Sequence, residues 1–306
     1  MTNQSSSAEA DRSATAALDE GLVSVVVPVG RVDEPLDEQL RSLSAQDIDE
    51  PVEFILALNS PDPAQRLRLD DLLAVVGDPR FRVVAASTVR GPSHARNVGS
   101  AAARGTRLAY CDSDDRVHPS WLRLLVAGLA DHDAVGGQLT GFGLSERQSA
   151  SRPPATPGEL PRFMDVPYIV SANMAVRREA YEATDRWDER LGPGEDIALS
   201  WQLLANGCTL GFVPEAVVDY RYRPGTRAML KQGYQYGRRL SQVLIYHGVP
   251  KGDRFAKPSG MSLLKPNGQR SGRPSVLKTL RRGSLAVGRV GGIVEHKIAV
   301  RRGTAP

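Results

Sequence analysis

The run Val23 to Val29 (VSVVVPV) constrains this chain more than any other segment. A nearly unbroken β-branched stretch of that length has no polar face, so it fits a strand buried on both sides of a parallel sheet. Pro28, which has no amide proton, predicts where the pairing of that strand stops. Leu36, Leu40 and Leu43 then recur at helical spacing within Pro35 to Leu43, and Phe54 to Leu58 (FILAL) is a second buried strand. A third strand at Phe81 to Ala85, a helix from about Ser93 to Ala103 stopped at Gly105, and a fourth strand at Arg107 to Cys111 continue the alternation. The pattern predicts an α/β chain with a doubly wound sheet.

Beyond Ser120 the sequence predicts a short helix over WLRLLVAGL, a strand at Ala134 to Leu139, and a loop dense in Ser, Pro and Gly from Ser145 to Pro161. A short strand from Tyr168, a helix around Arg177 to Ala183, a helix from Asp196 to Ala205 closed by Gly207, and a strand near Leu210 to Val213 follow.

Charge is divided unevenly along the 306 residues. Residues 1–250 hold 26 Lys/Arg against 33 Asp/Glu, whereas 251–306 hold 13 against 2. A basic tail seeks phosphates, while the acidic body argues against a general nucleic-acid binder, so an anionic membrane surface is the expected partner of the tail. From Ser275 onward, aliphatic residues interleave with Lys and Arg as in a helix lying in a membrane interface, although glycines at 283, 288, 291 and 292 weaken the helix and a disordered basic tail fits the composition equally. The first twenty residues lack the apolar core of a secretory signal, and no run approaches the roughly 20 apolar residues of a membrane span. Cys111 and Cys208 are expected to be reduced thiols. Together these features predict a cytoplasmic protein, peripheral on the inner face of the cell membrane.

Three stretches carry chemistry. Arg107 to Asp115 (RLAYCDSDD) is an apolar strand ending in three carboxylates, at the sheet edge where ligands of open α/β sheets bind. Asp112 and Asp114, alternate residues of an extended segment, share a face and suit one hard divalent cation, Mg²⁺ or Mn²⁺. Gly192 to Asp196 (GPGED) delivers Glu195 and Asp196 to a helix N-terminus, where carboxylates act as caps or, held rigidly, as a general base. Gly91 to Gly99 (GPSHARNVG) opens a helix whose Arg96 either pairs with phosphate or ribose oxygens or is solvated; His94 is expected at the surface.

In order, VSVVVPV, GPSHARNVG, AYCDSDD, SANMAVRREAY, RWDERLGPGEDIALSWQLLANG and VPEAVVDYRYR resemble the inverting family 2 glycosyltransferases over about Val23 to Arg239. The resemblance implies a GT-A fold, a Rossmann-like doubly wound mixed sheet with flanking helices, and a nucleotide diphosphate sugar as donor. It implies contacts to the nucleotide from Pro28, Val29, Asn59, Arg96 and Asp112, a metal at Asp112 and Asp114, Ser171, Ala172 and Asn173 near the sugar, and Asp196 as base with Glu195 as competitor. The acceptor implied is a glycan or glycolipid hydroxyl. Two positions depart from the family: the second strand ends Leu58-Asn59-Ser60-Pro61 instead of in a carboxylate, and Asp219 stands where a His often helps hold the metal, so Asp219 is expected as an oxygen ligand. The expected organisation is a disordered leader (1–20), a catalytic domain (21–245) of a nucleotide-binding half (21–118) and an acceptor half (119–245), and a basic amphipathic tail (246–306). A nicotinamide oxidoreductase is disfavoured because residues 28–33 supply no Gly-x-Gly-x-x-Gly turn. A nucleotidyltransferase, and a non-catalytic membrane-associated scaffold of the same fold, are the alternatives.

Overall fold

Burial of β1 (Asp19–Val29) is complete from Leu22 onward, as its apolar run requires. The structure, a computed structural model, describes residues 18–142, 156, 158–222, 225–250 and 276–302. Most of the expected leader, most of the expected loop from 145 to 161, and residues 251–275 and 303–306 of the tail lie outside the described residues.

From β1 the chain runs through α1 (Glu34–Ser44), β2 (Val52–Leu58), α2 (Pro63–Val76), β3 (Phe81–Ala85), α3 (Pro92–Ala102), β4 (Gly105–Tyr110), β5 (Arg116–Val117) and α4 (Trp121–Gly128). It continues with β6 (Ala134–Phe142), β7 (Arg162–Phe163), β8 (Val166–Pro167), β9 (Met174–Arg177), α5 (Arg178–Glu182), α6 (Glu195–Ala205), β10 (Leu210–Arg221), α7 (Thr226–Tyr246) and α8 (Val276–Arg301). One eight-stranded sheet has the order β3-β2-β1-β4-β9-β6-β10-β5, and β7 and β8 form a separate hairpin. The pairs β2–β3, β1–β2, β1–β4 and β6–β10 are parallel, whereas β9 and β5 run antiparallel to their neighbours. Apolar side chains pack both faces: Leu36, Leu40, Trp121 and Leu125 belong to one cluster, and Tyr110, Tyr181, Trp187 and Leu199 to the other.

Several expectations change. Pairing of β1 with β4 ends at Val26, but pairing with β2 continues through Pro28 to Val29, so the proline faces its missing donor toward one neighbour only. The strand expected from Tyr168 lies instead at Met174–Arg177, because Val170 and Asn173 close a turn before it, the Asn173 amide donating to the Val170 carbonyl at 3.0 Å. Helix α2 between β2 and β3 and the 21-residue helix α7 were not anticipated. Nor do the tail glycines break a helix: α8 is continuous over 26 residues.

Candidate active site

β1, β2 and β4 are parallel, so their carboxyl ends meet at one sheet edge, and the chemistry-bearing loops leave from there. After β4, the loop 111–115 turns back sharply. Gln39, fully buried on α1, holds it from beneath: its Nε2 donates to the Asp112 carbonyl at 2.9 Å and its Oε1 accepts from the Val117 amide at 3.2 Å. From the other side, the Arg221 amide at the end of β10 donates to Asp115 Oδ1 at 2.8 Å, and its Nε donates to the Asp114 carbonyl at 3.0 Å. The loop is therefore clamped by residues distant in sequence.

The clamp brings carboxylate oxygens of Asp112, Asp114 and Asp115 within 4.8 Å of one another. Asp115 is 1% exposed, and its Oδ2 has no hydrogen-bond partner among the described residues. Burial, reinforced by the charge of Asp112, pushes the Asp115 carboxyl well above its ordinary range. Three crowded carboxylates with a buried, unsatisfied oxygen suit a divalent cation with oxygen ligands. Asp115 was not singled out in the sequence because its burial comes from long-range packing.

Asp219 is not in this group. Its carboxylate accepts from Arg116 Nη2 at 2.6 Å and Thr140 Oγ1 at 2.7 Å and lies 3.2 Å from His118 Nε2, and these contacts hold it below the usual carboxylate range despite burial.

Arg96, on α3, is 2% exposed and far from solvated. Its Nη2 donates to Asp112 Oδ1 at 2.6 Å and its Nη1 to Glu195 Oε1 at 3.2 Å, while the guanidinium carbon lies 5.0 Å from the centre of the Trp187 ring. One buried cation thus joins the carboxylate cluster of β4 to the acidic pair of α6. Gly194, at φ 109°, is the residue before α6, and a Cβ there would press on Val243 of α7. The N-cap is that glycine; Asp196 sits in the first turn, where its Oδ1 accepts from the Ile197 amide at 2.9 Å. Burial pushes Glu195 and Asp196 upward, and for Glu195 the neighbouring Asp196 charge adds to the shift. Glu195 Oε2 has no partner among the described residues. Burial, reinforced by the charges of Asp196, Glu195 and Asp112, pushes the phenol of Tyr236, from α7, above its ordinary range.

Four further residues expected at the nucleotide or sugar are also built into the fold. Asn59 Nδ2 donates to the carbonyls of Ala86 and Val89, and its Oδ1 accepts from the Gly91 amide at 2.9 Å, so the side chain shapes the loop that delivers α3. Asn173 is 1% exposed; it accepts from Trp121 Nε1 at 2.9 Å and donates to the carbonyls of Gln138 and Ala216, which ties α4, β6 and β10 together. At the end of β1, Val29 is buried and its carbonyl accepts from the Asn59 amide at 2.8 Å; Pro28 pairs beside Ala57. His94, expected at the surface, is wedged between Thr88 Oγ1 and Glu189 Oε2 with its side chain 13% exposed.

Known proteins resemble this chain in sequence and in fold. The chain is 34% identical over 176 residues to the succinoglycan biosynthesis protein ExoO of Rhizobium meliloti, covering 51% of this chain and 49% of that protein. It is 26% identical over 180 residues to a pre-mycofactocin glycosyltransferase of Mycobacterium tuberculosis, covering 52% of this chain and 36% of the relative. It spans about half or less of the length of these relatives. Among solved structures, a mannosyltransferase from Pyrobaculum calidifontis in complex with GDP-Man and Mn²⁺ superposes with a TM-score of 0.62 at 15% identity, covering 97% of this chain and 88% of that one. The S. aureus TarS 1–349 complex with UDP-GlcNAc superposes with a TM-score of 0.56 at 19% identity, covering 76% and 68%. These likenesses show the GT-A fold. The family described as Glycosyl transferase family 2 matches residues 24–184, more than half of the sequence, and with the motifs and sheet above it establishes that the chain belongs to that family.

Proposed function

We propose that this chain is a divalent-metal-dependent glycosyltransferase that moves a sugar from a nucleotide diphosphate sugar to a hydroxyl of a cell-envelope glycan or glycolipid, with inversion, at the cytoplasmic face of a membrane. The observation that carries this reading is the Arg96 bridge, which sets the Asp112 cluster beside the Glu195-Asp196 pair. A site that activates a hydroxyl and receives a departing diphosphate needs both groups together. The nucleotide sugars bound by the TarS and Pyrobaculum structures, and the glycan synthesis named for ExoO, support the substrate class.

Residues 21–118 form the nucleotide-binding half of the proposed enzyme and 119–245 the acceptor half. Asp112, Asp114 and Asp115 are the groups that would hold the metal, which supplies positive charge opposite the leaving diphosphate when bound. Pro28, Val29 and the loop braced by Asn59 wall the nucleotide side. Asp196, as carboxylate, takes the proton of the acceptor hydroxyl while that oxygen attacks the anomeric carbon. The bond from that carbon to the diphosphate oxygen breaks on the opposite face, its electron pair leaves with the nucleoside diphosphate, and the configuration inverts. Arg96 holds Asp112 and Glu195 in place and keeps the surplus negative charge tolerable.

Asp114→Asn tests the metal assignment. Calorimetry should show Mn²⁺-dependent donor binding weakened by more than roughly tenfold, since a charged oxygen ligand is lost, with the melting temperature nearly unchanged. Unchanged affinity with unchanged Mn²⁺ dependence would remove Asp114 from the site.

A further inference from the structure

Helix α8 is held on one side and bare on the other. On its inner side, Gly288 and Gly292 lie so close to the Tyr234 and Arg238 carbonyls of α7 that a Cβ at either position would overlap them. Gly233 and Gly237 make room in the same way on α7. Arg238 Nε donates to Glu295 Oε2 at 2.6 Å, and Ser241 Oγ donates to the Arg289 carbonyl at 3.0 Å. The glycines therefore seat the helix tightly, which fixes which residues face out.

Those residues are apolar. Val276, Leu280, Val287, Val290, Val294 and Ile298 fall within about 80° of one another around the axis, and Val276, Val287 and Val290 are 74%, 63% and 62% exposed. No described residue covers them. Exposed Arg301 enters the same face, and exposed Lys297 and Arg302 border it. Residues 276–302 hold seven Lys/Arg and one carboxylate, Glu295, and that carboxylate is turned inward to Arg238.

We propose that this face docks α8 in the plane of an anionic lipid bilayer, aliphatic side chains in the acyl boundary and basic side chains at the phosphates. A helix of 26 residues with an apolar stripe and a cationic border matches such an interface in shape and charge. It does not cross: among the described residues no helix is long and apolar enough to span a membrane. A second copy is a poor occupant, because two cationic faces would meet with no carboxylate to offset them. Nucleic acid fits no better, since the stripe is aliphatic and offers no aromatic surface on which bases stack.

Docking has a consequence that rests on the transfer reading. The helix that seats α8 also carries Tyr236 to Asp196 and packs Val243 against Gly194. Through α7, an α8 lying on the bilayer would tether the acidic pair to the membrane that carries a lipid-linked acceptor.

Flotation of the full chain with vesicles tests the docking. The wild type should float with phosphatidylcholine and phosphatidylglycerol in equal parts, less well at raised salt, and poorly with phosphatidylcholine alone. Val287→Asp combined with Val294→Asp should reduce partitioning by at least roughly tenfold, with circular dichroism and melting checked. Lys297→Gln combined with Arg301→Gln, which leaves the apolar stripe intact, should reduce it several-fold. Release of nucleoside diphosphate in the absence of vesicles should stay at the wild-type level in both variants. A wild type that does not float, or a folded double-aspartate variant that floats normally, overturns the docking. So does sedimentation showing a wild-type dimer that this variant splits, since the face then belongs to a second copy. Normal flotation without nucleoside diphosphate release would instead overturn the transfer reading and leave the docking in place.

Discussion

Asp196→Asn is expected to lower transfer by roughly a hundredfold or more while leaving donor affinity and the fold nearly unchanged. The substitution removes the group that takes the acceptor proton but keeps an oxygen that can accept from the Ile197 amide, so the first turn of α6 is preserved. Burial raises Asp196 to about 6, and the base must be ionised, so the wild-type rate should rise as pH increases through that value. The stability effect has the opposite sign. Because the carboxyl pKa is raised on folding, the folded state holds its proton more tightly than the unfolded chain. This favourable contribution is complete below the ordinary carboxylate range and is lost as pH rises through about 6. Glu195→Gln is the matched control: it removes the negative charge beside Arg96 while keeping an oxygen that can accept from it and leaving the proposed base. Rates at saturating donor would assign the base to Glu195 if that variant alone were inactive, and would make the pair structural if both variants kept wild-type rates.

Arg96→Met should destabilise the chain by about 3 kcal/mol. Methionine retains much of the stem that packs on Trp187 but removes the guanidinium shared by Asp112 and Glu195. Removing one partner of a buried ion pair leaves an uncompensated charge, and this case belongs at the low end of that range for two reasons. Glu195 can take up a proton, and Asp112, with its side chain 29% exposed, reaches solvent. Urea unfolding measures the change. A variant as stable as the wild type would mean that the bridge contributes no net stability, and normal donor binding and transfer in it would also remove Arg96 from the mechanism.

Much of the fold was legible because its signals are local. The β-branched run at 23–29 and the apolar run at 54–58 can hardly be other than buried strands, and each lies within its observed element. Helix α7 escaped notice because its buried positions include Gly233 and Gly237, which lower helix propensity and interrupt an apolar pattern while serving close packing. The tail glycines misled for the same reason. At the site, the carboxylates were visible as a strand ending in acid, and their spacing pointed to Asp112 and Asp114. What could not be seen was how buried each group is. Asp115 becomes a member of the cluster, and Arg96 a buried bridge, only through packing between distant segments, such as Gln39 against residues more than seventy positions away. Asn173, expected near the sugar by resemblance, also has its polar side-chain atoms engaged inside the fold, which no local pattern announces.

Thermal melting of the purified chain against a panel of UDP-, GDP-, dTDP- and CDP-sugars, with and without Mn²⁺, reads out whether it binds a sugar nucleotide through a divalent metal. A donor at a hundredfold excess over its Kd stabilises the folded state by about 2.7 kcal/mol. At least one sugar nucleotide should raise Tm only when Mn²⁺ is present, and Asp114→Asn should markedly reduce the rise. A panel in which none shifts the melting of the wild-type chain, with or without the metal, would contradict the proposed metal-dependent donor binding.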